Sequence, residues 1–207
     1  MTPGWIVILN GAPRSGKSSI AAAMQDLSDE PWVNLGVDAQ NRTLPEKLLP
    51  GIGLRPGGER PDLEPVVRRL YSALYASVAA HSREGFNVVV DVGHHHCYLQ
   101  DLDVWRICAR HLKGLRVLLV GVCCPLEEIM QRRSSSQPGR EALYLQIDEN
   151  GAVPEPILRW QEAVHKPDIY DLEIDSSVLT PQEAAQMILA ALPEYILPGA
   201  LNRHASN

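Results

Sequence analysis

Short apolar runs alternate along the chain with longer amphipathic stretches. A short apolar run predicts a buried strand of a parallel sheet, and an amphipathic stretch predicts a helix that packs on it. The predicted strands cover 5–9, 31–38, 87–91, 116–122 and 171–175. Helices are predicted from residue 19 onward and over 62–83, 99–112, 125–133, 157–165 and 181–192. This order predicts an α/β protein with three layers, α/β/α, around a five-stranded parallel sheet.

Two stretches have clear start or stop signals. Thr180 is a good N-cap, Pro181 suits the first helical position, and Glu183 completes a capping box, so the last predicted helix has a defined start. Prolines and glycines are dense over 41–61, which predicts a loop or mobile flap. A connection of that length in a compact domain is usually functional or disordered.

Composition limits the class of protein. Hydrophobic residues make up 45% of the 207 positions, which is ordinary for a globular protein. The formal net charge of −6 argues against a protein that coats nucleic-acid phosphates. No apolar run approaches the ~20 residues that a membrane-spanning helix needs. No linker or repeat divides the chain, so we expect one domain over 1–207 with a frayed tail over 198–207.

Cysteine usage bears on the compartment. The four cysteines lack the C-x-x-C spacing of common zinc and redox sites, which favours reduced thiols over a structural zinc site; they are Cys97, Cys108, Cys123 and Cys124. The N-terminus shows no charged and apolar leader of the secretory type. We therefore expect a cytoplasmic protein. Whether it forms a homo-oligomer is left open.

A phosphate-binding motif lies between the first predicted strand and the first predicted helix. The pattern G-x-x-x-x-G-K-[ST] is matched at every fixed position, and the expected nucleotide-binding residues are Gly11, Ala12, Pro13, Arg14, Ser15, Gly16, Lys17, Ser18 and Ser19. Strand, turn and helix in this order direct backbone N–H groups and a helix N-terminus at one point, which binds polyphosphate. Lys17 is expected to contact the β- and γ-phosphates of ATP, and the Ser18 hydroxyl a Mg²⁺ ion.

Acidic residues end three of the predicted strands. In open α/β sheets ligands collect at the carboxyl ends of the strands, where Asp38, Asp91 and, less centrally, Asp175 are expected. Asp91 follows Val88–Val90, the layout of a strand whose acid steadies magnesium directly or through water. Asp38 could accept a proton from a substrate hydroxyl, as phosphoryl transfer requires. The alternative for each acid is a cap on the following turn.

Basic residues follow the fourth predicted strand. Arg132, Arg133 and Arg140 flank a Ser/Pro/Gly segment that has the composition of a small cationic lid, about residues 132–146. Guanidinium groups over the β- and γ-phosphates would neutralise developing charge and exclude water. The alternative is a solvated helix face. We expect these arginines to be catalytic, without ranking them.

Three consecutive histidines come just after Asp91. His94, His95 and His96 could hold a metal, but adjacent residues cannot all face one ion on ordinary backbone, and no second ligand cluster is evident. We expect one or two of these imidazoles to line the acceptor pocket and the rest to be exposed.

These motifs resemble those of chloramphenicol 3-O-phosphotransferases, small kinases that phosphorylate a hydroxyl of the antibiotic. The resemblance covers most of the chain in order, through residues 8–11, 15–18, 31–32, 36–38, 88–91, 120–124 and 164–175. It implies a P-loop NTPase fold with an adenylate-kinase-like sheet, in which the strand before the phosphate loop is central. It also implies that Asp38 is the base that activates the acceptor hydroxyl.

Competing functions are a kinase of a metabolite or nucleotide on the same scaffold, and a nucleotide-driven switch without transfer activity. His165–Asp168 departs from the guanine-reading N-K-x-D motif in its first residue and in its place before a strand, so we interpret it as a turn. Motor ATPases usually place a Glu after the strand-end acid, where this chain has Val92. The sequence therefore favours transfer to a hydroxyl of a small molecule and leaves the acceptor open.

Overall fold

Five parallel strands form one sheet in the order β2-β3-β1-β4-β5, so the strand that leads into the phosphate loop is central, as the resemblance implied. The computed structural model describes residues 2–48, 60–100, 102–134, 152–192 and 199–204. The strands are β1 Ile6–Asn10, β2 Trp32–Asn34, β3 Asn87–Val92, β4 Val117–Cys123 and β5 Leu172–Asp175. In the register, Ile8 of β1 pairs with Val90 of β3 and with Leu119 of β4.

Helices cover both faces of the sheet, which confirms the predicted three layers. Their bounds are α1 Lys17–Leu27, α2 Val37–Asn41, α3 Glu64–Arg83, α4 Val104–Leu112, α5 Leu126–Ser134, α6 Glu155–Ala163, α7 Pro181–Ala191 and α8 Ala200–His204, with a 3-10 turn at Glu46–Leu48. One core lies between the sheet and α3, α4 and α8. The other lies between the sheet and α1 and α7. Alternate strand residues supply the two cores, because successive side chains point to opposite faces.

The second strand is shorter than the sequence predicts. β2 ends at Asn34, whose side-chain Oδ1 accepts a hydrogen bond from Gly36 N at 3.2 Å and turns the chain. Asp38 therefore lies in the short helix α2 and not at a strand end, which corrects the predicted strand over 31–38. Asp91 lies within β3, one residue before its end.

The helix predicted from residue 99 begins later, at Val104. Asp103 caps it by accepting a hydrogen bond from Arg106 N at 2.9 Å. The residues before it are held by the carboxylate of buried Glu64, which accepts from Leu99 N at 2.8 Å and Gln100 N at 2.7 Å. These bonds give the backbone partners outside a helix, which explains the late start.

Residues 200–204 near the chain end are more ordered than the sequence predicts. The capping box of Thr180 and Glu183 is present, as expected. The prediction of a frayed tail is wrong for residues 200–204, which form α8. Ala200 and Leu201 are buried in the core, and Ala200 N donates to Asp171 Oδ1 at 2.6 Å. Burial of apolar side chains and a capped backbone amide offset the entropy cost of ordering the segment.

Two predicted segments lie largely outside the described residues: most of the flap over 41–61 and most of the lid over 132–146. All four cysteines are free thiols. Within the described ranges, no helix combines the length and the apolar character that crossing a membrane requires.

Candidate active site

The phosphate loop turns sharply between β1 and α1. Gly16 has φ 94° and Arg14 φ 73°, so the loop uses the left-handed region twice. Glycine adopts that region without a steric cost. At the start of the loop, a Cβ on Gly11 would lie 2.4 Å from the carbonyl oxygen of Val122 in β4. Both motif glycines are therefore required, one by backbone conformation and the other by close packing.

Lys17 folds back over its own loop. Its Nζ donates to the carbonyl oxygens of Gly11 and Ala12, both at 2.8 Å. Burial lowers the pKa of Lys17 to about 8, while the carboxylates of Asp91 and Asp38 act in the opposite direction. The Lys17 ammonium is thus poised inside the loop, within electrostatic reach of both acids.

Ser18 and Asp91 form a pair of oxygen ligands beside the loop. Ser18 Oγ donates to Asp91 Oδ2 at 2.7 Å. Hydroxyl and carboxylate oxygens are the ligands that Mg²⁺ prefers, and the ion typically takes one or two carboxylates and completes its shell with water and phosphate oxygens. Among the described residues, no group of three or more His, Cys, Asp or Glu forms a metal cluster. The pair fits a magnesium ion held largely by a nucleotide.

Asp38 reaches the same place from the β2–α2 turn. The turn packs tightly on β3, because a Cβ on Gly36 would lie 1.5 Å from Asp91 Oδ1. Asp38, two residues later, is exposed and lies close enough for its charge to act on Lys17. The structure thus brings together Lys17, Asp91 and Asp38, although Asp38 comes from a helix.

Of the three lid arginines, two can be located. Arg132 donates to Ser176 Oγ at 3.2 Å and to Glu128 Oε1 at 2.9 Å, beside Gly16 of the phosphate loop. Arg14 in turn donates to the Arg132 carbonyl oxygen at 3.1 Å. Arg133 is buried, and Arg140 lies outside the described residues.

Comparison with known proteins identifies the family. The model of the family described as chloramphenicol phosphotransferase-like protein matches residues 4–193, most of the chain. The chain belongs to the chloramphenicol phosphotransferase-like family. This confirms the resemblance seen in the sequence and makes the protein a phosphotransferase of the P-loop kinase type.

Relatives and solved structures agree with membership of the chloramphenicol phosphotransferase-like family. A Mycobacterium tuberculosis protein named "Putative O-phosphotransferase" is 27% identical, over 98% of this chain and 88% of that protein. The M. tuberculosis APS kinase, solved with AMPPNP and APS, has a TM-score of 0.60 at 16% identity, over 94% of this chain and 100% of that one. Shikimate kinase from Acinetobacter baumannii, solved with shikimate, has a TM-score of 0.57 at 14% identity, over 95% and 96%.

The three consecutive histidines of this chloramphenicol phosphotransferase-like protein have different surroundings. His94 lies in the core with its ring edge-on to Tyr71 and Trp105, at centroid distances of 5.0 and 4.8 Å, and burial lowers its pKa to about 3. His95 is buried and stacks on Tyr98 at 4.4 Å. His96 is exposed. At neutral pH, His94 is therefore an uncharged part of the core.

A small pocket lies beside the phosphate loop on the side of α5 and α6. Pro13, Ile129, Arg133, Ile157 and Trp160 contribute to its lining. The Trp160 ring also packs on the turn after β3, since a Cβ on Gly93 would lie 3.1 Å from it. His95 meets the same indole at a centroid distance of 5.9 Å. This connects one of the predicted acceptor-side histidines to the pocket wall.

The sequence places Asn10, the last residue of β1, in the matched run 8–11 but predicts no role for its side chain. Its side chain is fully buried and contacts the chain on both sides of the central strand. The available signal was a polar residue that ends the apolar run Ile6–Leu9, directly before the phosphate loop. His165, interpreted as part of a turn, shares this network through a 2.9 Å hydrogen bond between its Nδ1 and Tyr170 OH.

Proposed function

We propose that the protein transfers the γ-phosphate of ATP to a hydroxyl of a small, antibiotic-like molecule of the chloramphenicol type, with Asp38 as the general base. The observation that carries the proposal is the close packing of the β2–α2 turn, which carries Asp38, against Asp91 beside the phosphate loop, with both carboxylates acting electrostatically on Lys17. One pairs with Ser18 as a metal ligand set, which leaves the exposed one for the acceptor.

Each site residue has a separate role in the proposed phosphoryl transfer. The loop amides and Lys17 bind the phosphates, and Lys17 shifts from its own carbonyl partners to the β- and γ-phosphate oxygens. Ser18 and Asp91 would hold Mg²⁺, and that ion would supply positive charge for the β- and γ-phosphates. Asp38 takes the proton of the acceptor hydroxyl. The hydroxyl oxygen bonds to the γ-phosphorus while the bond between that phosphorus and the ADP oxygen breaks. The proton then leaves Asp38 for water.

The arginines supply the remaining positive charge in this proposal. Arg132 adjoins Gly16, so its guanidinium can turn from Ser176 toward the phosphates. Arg133 and Arg140 complete the cationic lid. The four free thiols support a reducing, cytoplasmic compartment, and an antibiotic acceptor would make the enzyme a resistance factor. A kinase of a metabolite is the competing proposal, and an acceptor screen separates the two.

Asp38→Asn tests the proposal most directly. Asparagine keeps the shape of the side chain but cannot take a proton. We therefore expect near-normal affinity for the complex of Mg²⁺ and a non-hydrolysable ATP analogue. We expect kcat to fall by at least about a hundredfold, the lower end of what loss of a general base costs. Acceptor-dependent ADP release measures kcat, with chloramphenicol, other antibiotics, sugars and nucleosides as acceptors.

Asp26→Asn is the matched control, since Asp26 is an exposed acid toward the far end of α1. It should leave both affinity and kcat unchanged. Loss of nucleotide affinity in Asp38→Asn would assign Asp38 to the metal site, and unchanged turnover would remove it from the base role.

A further inference from the structure

The buried side chain of Asn10 joins three parts of the molecule at the base of the phosphate loop. Its Nδ2 donates to the carbonyl oxygen of Val164 at 2.8 Å and to Tyr170 OH at 3.0 Å. Its Oδ1 accepts from His94 N at 2.7 Å. Gly11, the first residue of the loop, follows directly. The position of the loop's first residue therefore depends on the segment before β5 and on the segment after β3.

The first of these segments is held by α8. Asp171 accepts from Ala200 N at 2.6 Å and from Leu119 N at 2.9 Å, so one carboxylate links the start of α8 to β4. The end of α8 is bonded to the same segment, because His204 Nε2 donates to the carbonyl oxygen of Ile169 at 3.0 Å. The next side chain, Tyr170, is the one that reaches Asn10.

Tyr170 has little freedom to move independently. Its ring packs so closely on β4 that a Cβ on Gly121 would lie 2.6 Å from it. Its hydroxyl also bonds His165, whose pKa is lowered chiefly by burial and in part by the positive charge of Lys17. A shift of the segment that carries Tyr170 would thus be felt at Asn10 and near the phosphate-loop lysine.

The second segment is held by α8 through aromatic packing. The imidazole of His204 stacks on the indole of Trp105, with centroids 4.3 Å apart and planes within 12°. Trp105 in turn meets the ring of His94 edge-on at 4.8 Å, and His94 N is the group that Asn10 Oδ1 binds. His204 therefore stands at the head of both chains of contacts.

From these contacts we infer that α8 braces the phosphate loop, with His204, Tyr170 and Asn10 as positioning residues for nucleotide binding. The inference rests on the proposed nucleotide site, and it adds a region of the chain beyond the family match at 4–193. Neither chain of contacts touches the nucleotide in this scheme. Both hold the strand end from which the loop starts, so loosening α8 lets the loop amides depart from the geometry that polyphosphate needs.

The test measures the affinity for the complex of Mg²⁺ and a non-hydrolysable ATP analogue. It is made at a temperature at which circular dichroism shows that every variant is folded. His204→Ala should weaken binding by about twofold to thirtyfold, the range over which such coupled contacts change ligand affinity. His204→Phe keeps a ring on Trp105 but loses the bond to Ile169, so it should recover part of the loss. Tyr170→Phe keeps the ring on Gly121 and should weaken binding by removing the hydroxyl alone.

Ser82→Ala is the control for a merely structural effect. Buried Ser82 donates to the Gly4 carbonyl oxygen at 2.7 Å, before β1 and so at the end of the sheet away from the phosphate loop. This variant should lose thermal stability without losing affinity. If His204→Ala behaves in the same way, the bracing role is refuted.

A double-mutant cycle separates bracing from independent damage. Because both contact chains end at Asn10, His204→Ala should have little further effect on affinity in an Asn10→Ala background, or a reduced effect in Tyr170→Phe if Asn10→Ala does not fold. Fully additive losses would overturn the inference. As controls, the wild-type protein must bind the analogue and Lys17→Ala must not. Failure of the wild type to bind would overturn the proposed function as well. Equal binding by the wild type and His204→Ala would overturn the bracing alone.

Discussion

At the scale of single residues, the phosphate loop holds the ammonium group of Lys17 in a partly buried position, which disfavours its charged form. Lys17 is half-buried and uses two carbonyl oxygens of its own loop as partners. Burial disfavours the charged form of an amine, and Asp91 and Asp38 offset that effect in part. A pKa of about 8 means that a substantial fraction of Lys17 loses its proton in mildly alkaline solution. A bound polyphosphate adds negative charge and must raise the pKa again.

This predicts proton uptake when the nucleotide binds. Between the pKa of the free protein, about 8, and the higher pKa of the complex, binding adds a proton to Lys17. At pH 8 we expect about half a proton per nucleotide and near zero at pH 6.5, with affinity falling as the pH rises above 8. Calorimetry in buffers with different ionisation enthalpies measures the uptake. Uptake that persists in Lys17→Arg, which stays charged, would assign the proton to another group.

At the scale of elements, the sequence predicts strands and helices where apolar periodicity dominates, and fails where one polar side chain redirects the backbone. β1, β3, β4 and β5 lie where the apolar runs predict them. β2 ends early because the Asn34 amide turns the chain, and α4 starts late because Glu64 holds the residues before it. The Asn34 bond is a local turn and the Glu64 bonds are tertiary contacts, and apolar periodicity encodes neither.

The β2–α2 turn offers a test of how one element positions another. Gly36 has an ordinary backbone conformation, φ −74°, but a Cβ there would lie 1.5 Å from Asp91 Oδ1. Gly36→Ala must therefore displace the Asp91 carboxylate. We expect at least about a tenfold loss of affinity for the magnesium–nucleotide complex, since overpacking typically costs about 1–3 kcal/mol. Titration of Mg²⁺ at fixed nucleotide concentration measures this loss.

Gly114→Ala serves as the control, because Gly114 has a positive φ and free space for a Cβ, the reverse of Gly36. Gly114 has φ 77° and open space for a Cβ, so the substitution strains the backbone before β4, at the end of the sheet away from the phosphate loop, without contacting the site. It should lower the free energy of unfolding by about 1 kcal/mol and leave the affinity for the magnesium–nucleotide complex unchanged. Equal losses of affinity in the two variants would show that Gly36 acts through overall stability.

At the scale of the whole molecule, the parts of the site predicted from sequence are those with a local signature. Gly11–Ser18 carries its own strand, turn and helix context, and Asp91 ends an apolar run, so both could be located in advance. The roles of Asn10 and His204 could not, because each depends on partners more than 30 residues away, such as His94 and Trp105. Of the three histidines only His94 departs from the expectation, since its burial is a property of the core that the sequence does not show.

Nucleotide binding should stabilise the whole fold, because the loop, β3 and α2 are joined in one site. A ligand at a hundred times its Kd adds about 2.7 kcal/mol to the free energy of unfolding. For a chain of 207 residues this corresponds to a rise in Tm of about 5 to 10 °C. Differential scanning fluorimetry with Mg²⁺ and a non-hydrolysable ATP analogue measures the rise, which Lys17→Ala should abolish. A true acceptor should raise Tm further when the analogue is present and release ADP when ATP replaces it, whereas a compound that raises Tm equally in Lys17→Ala binds outside the site.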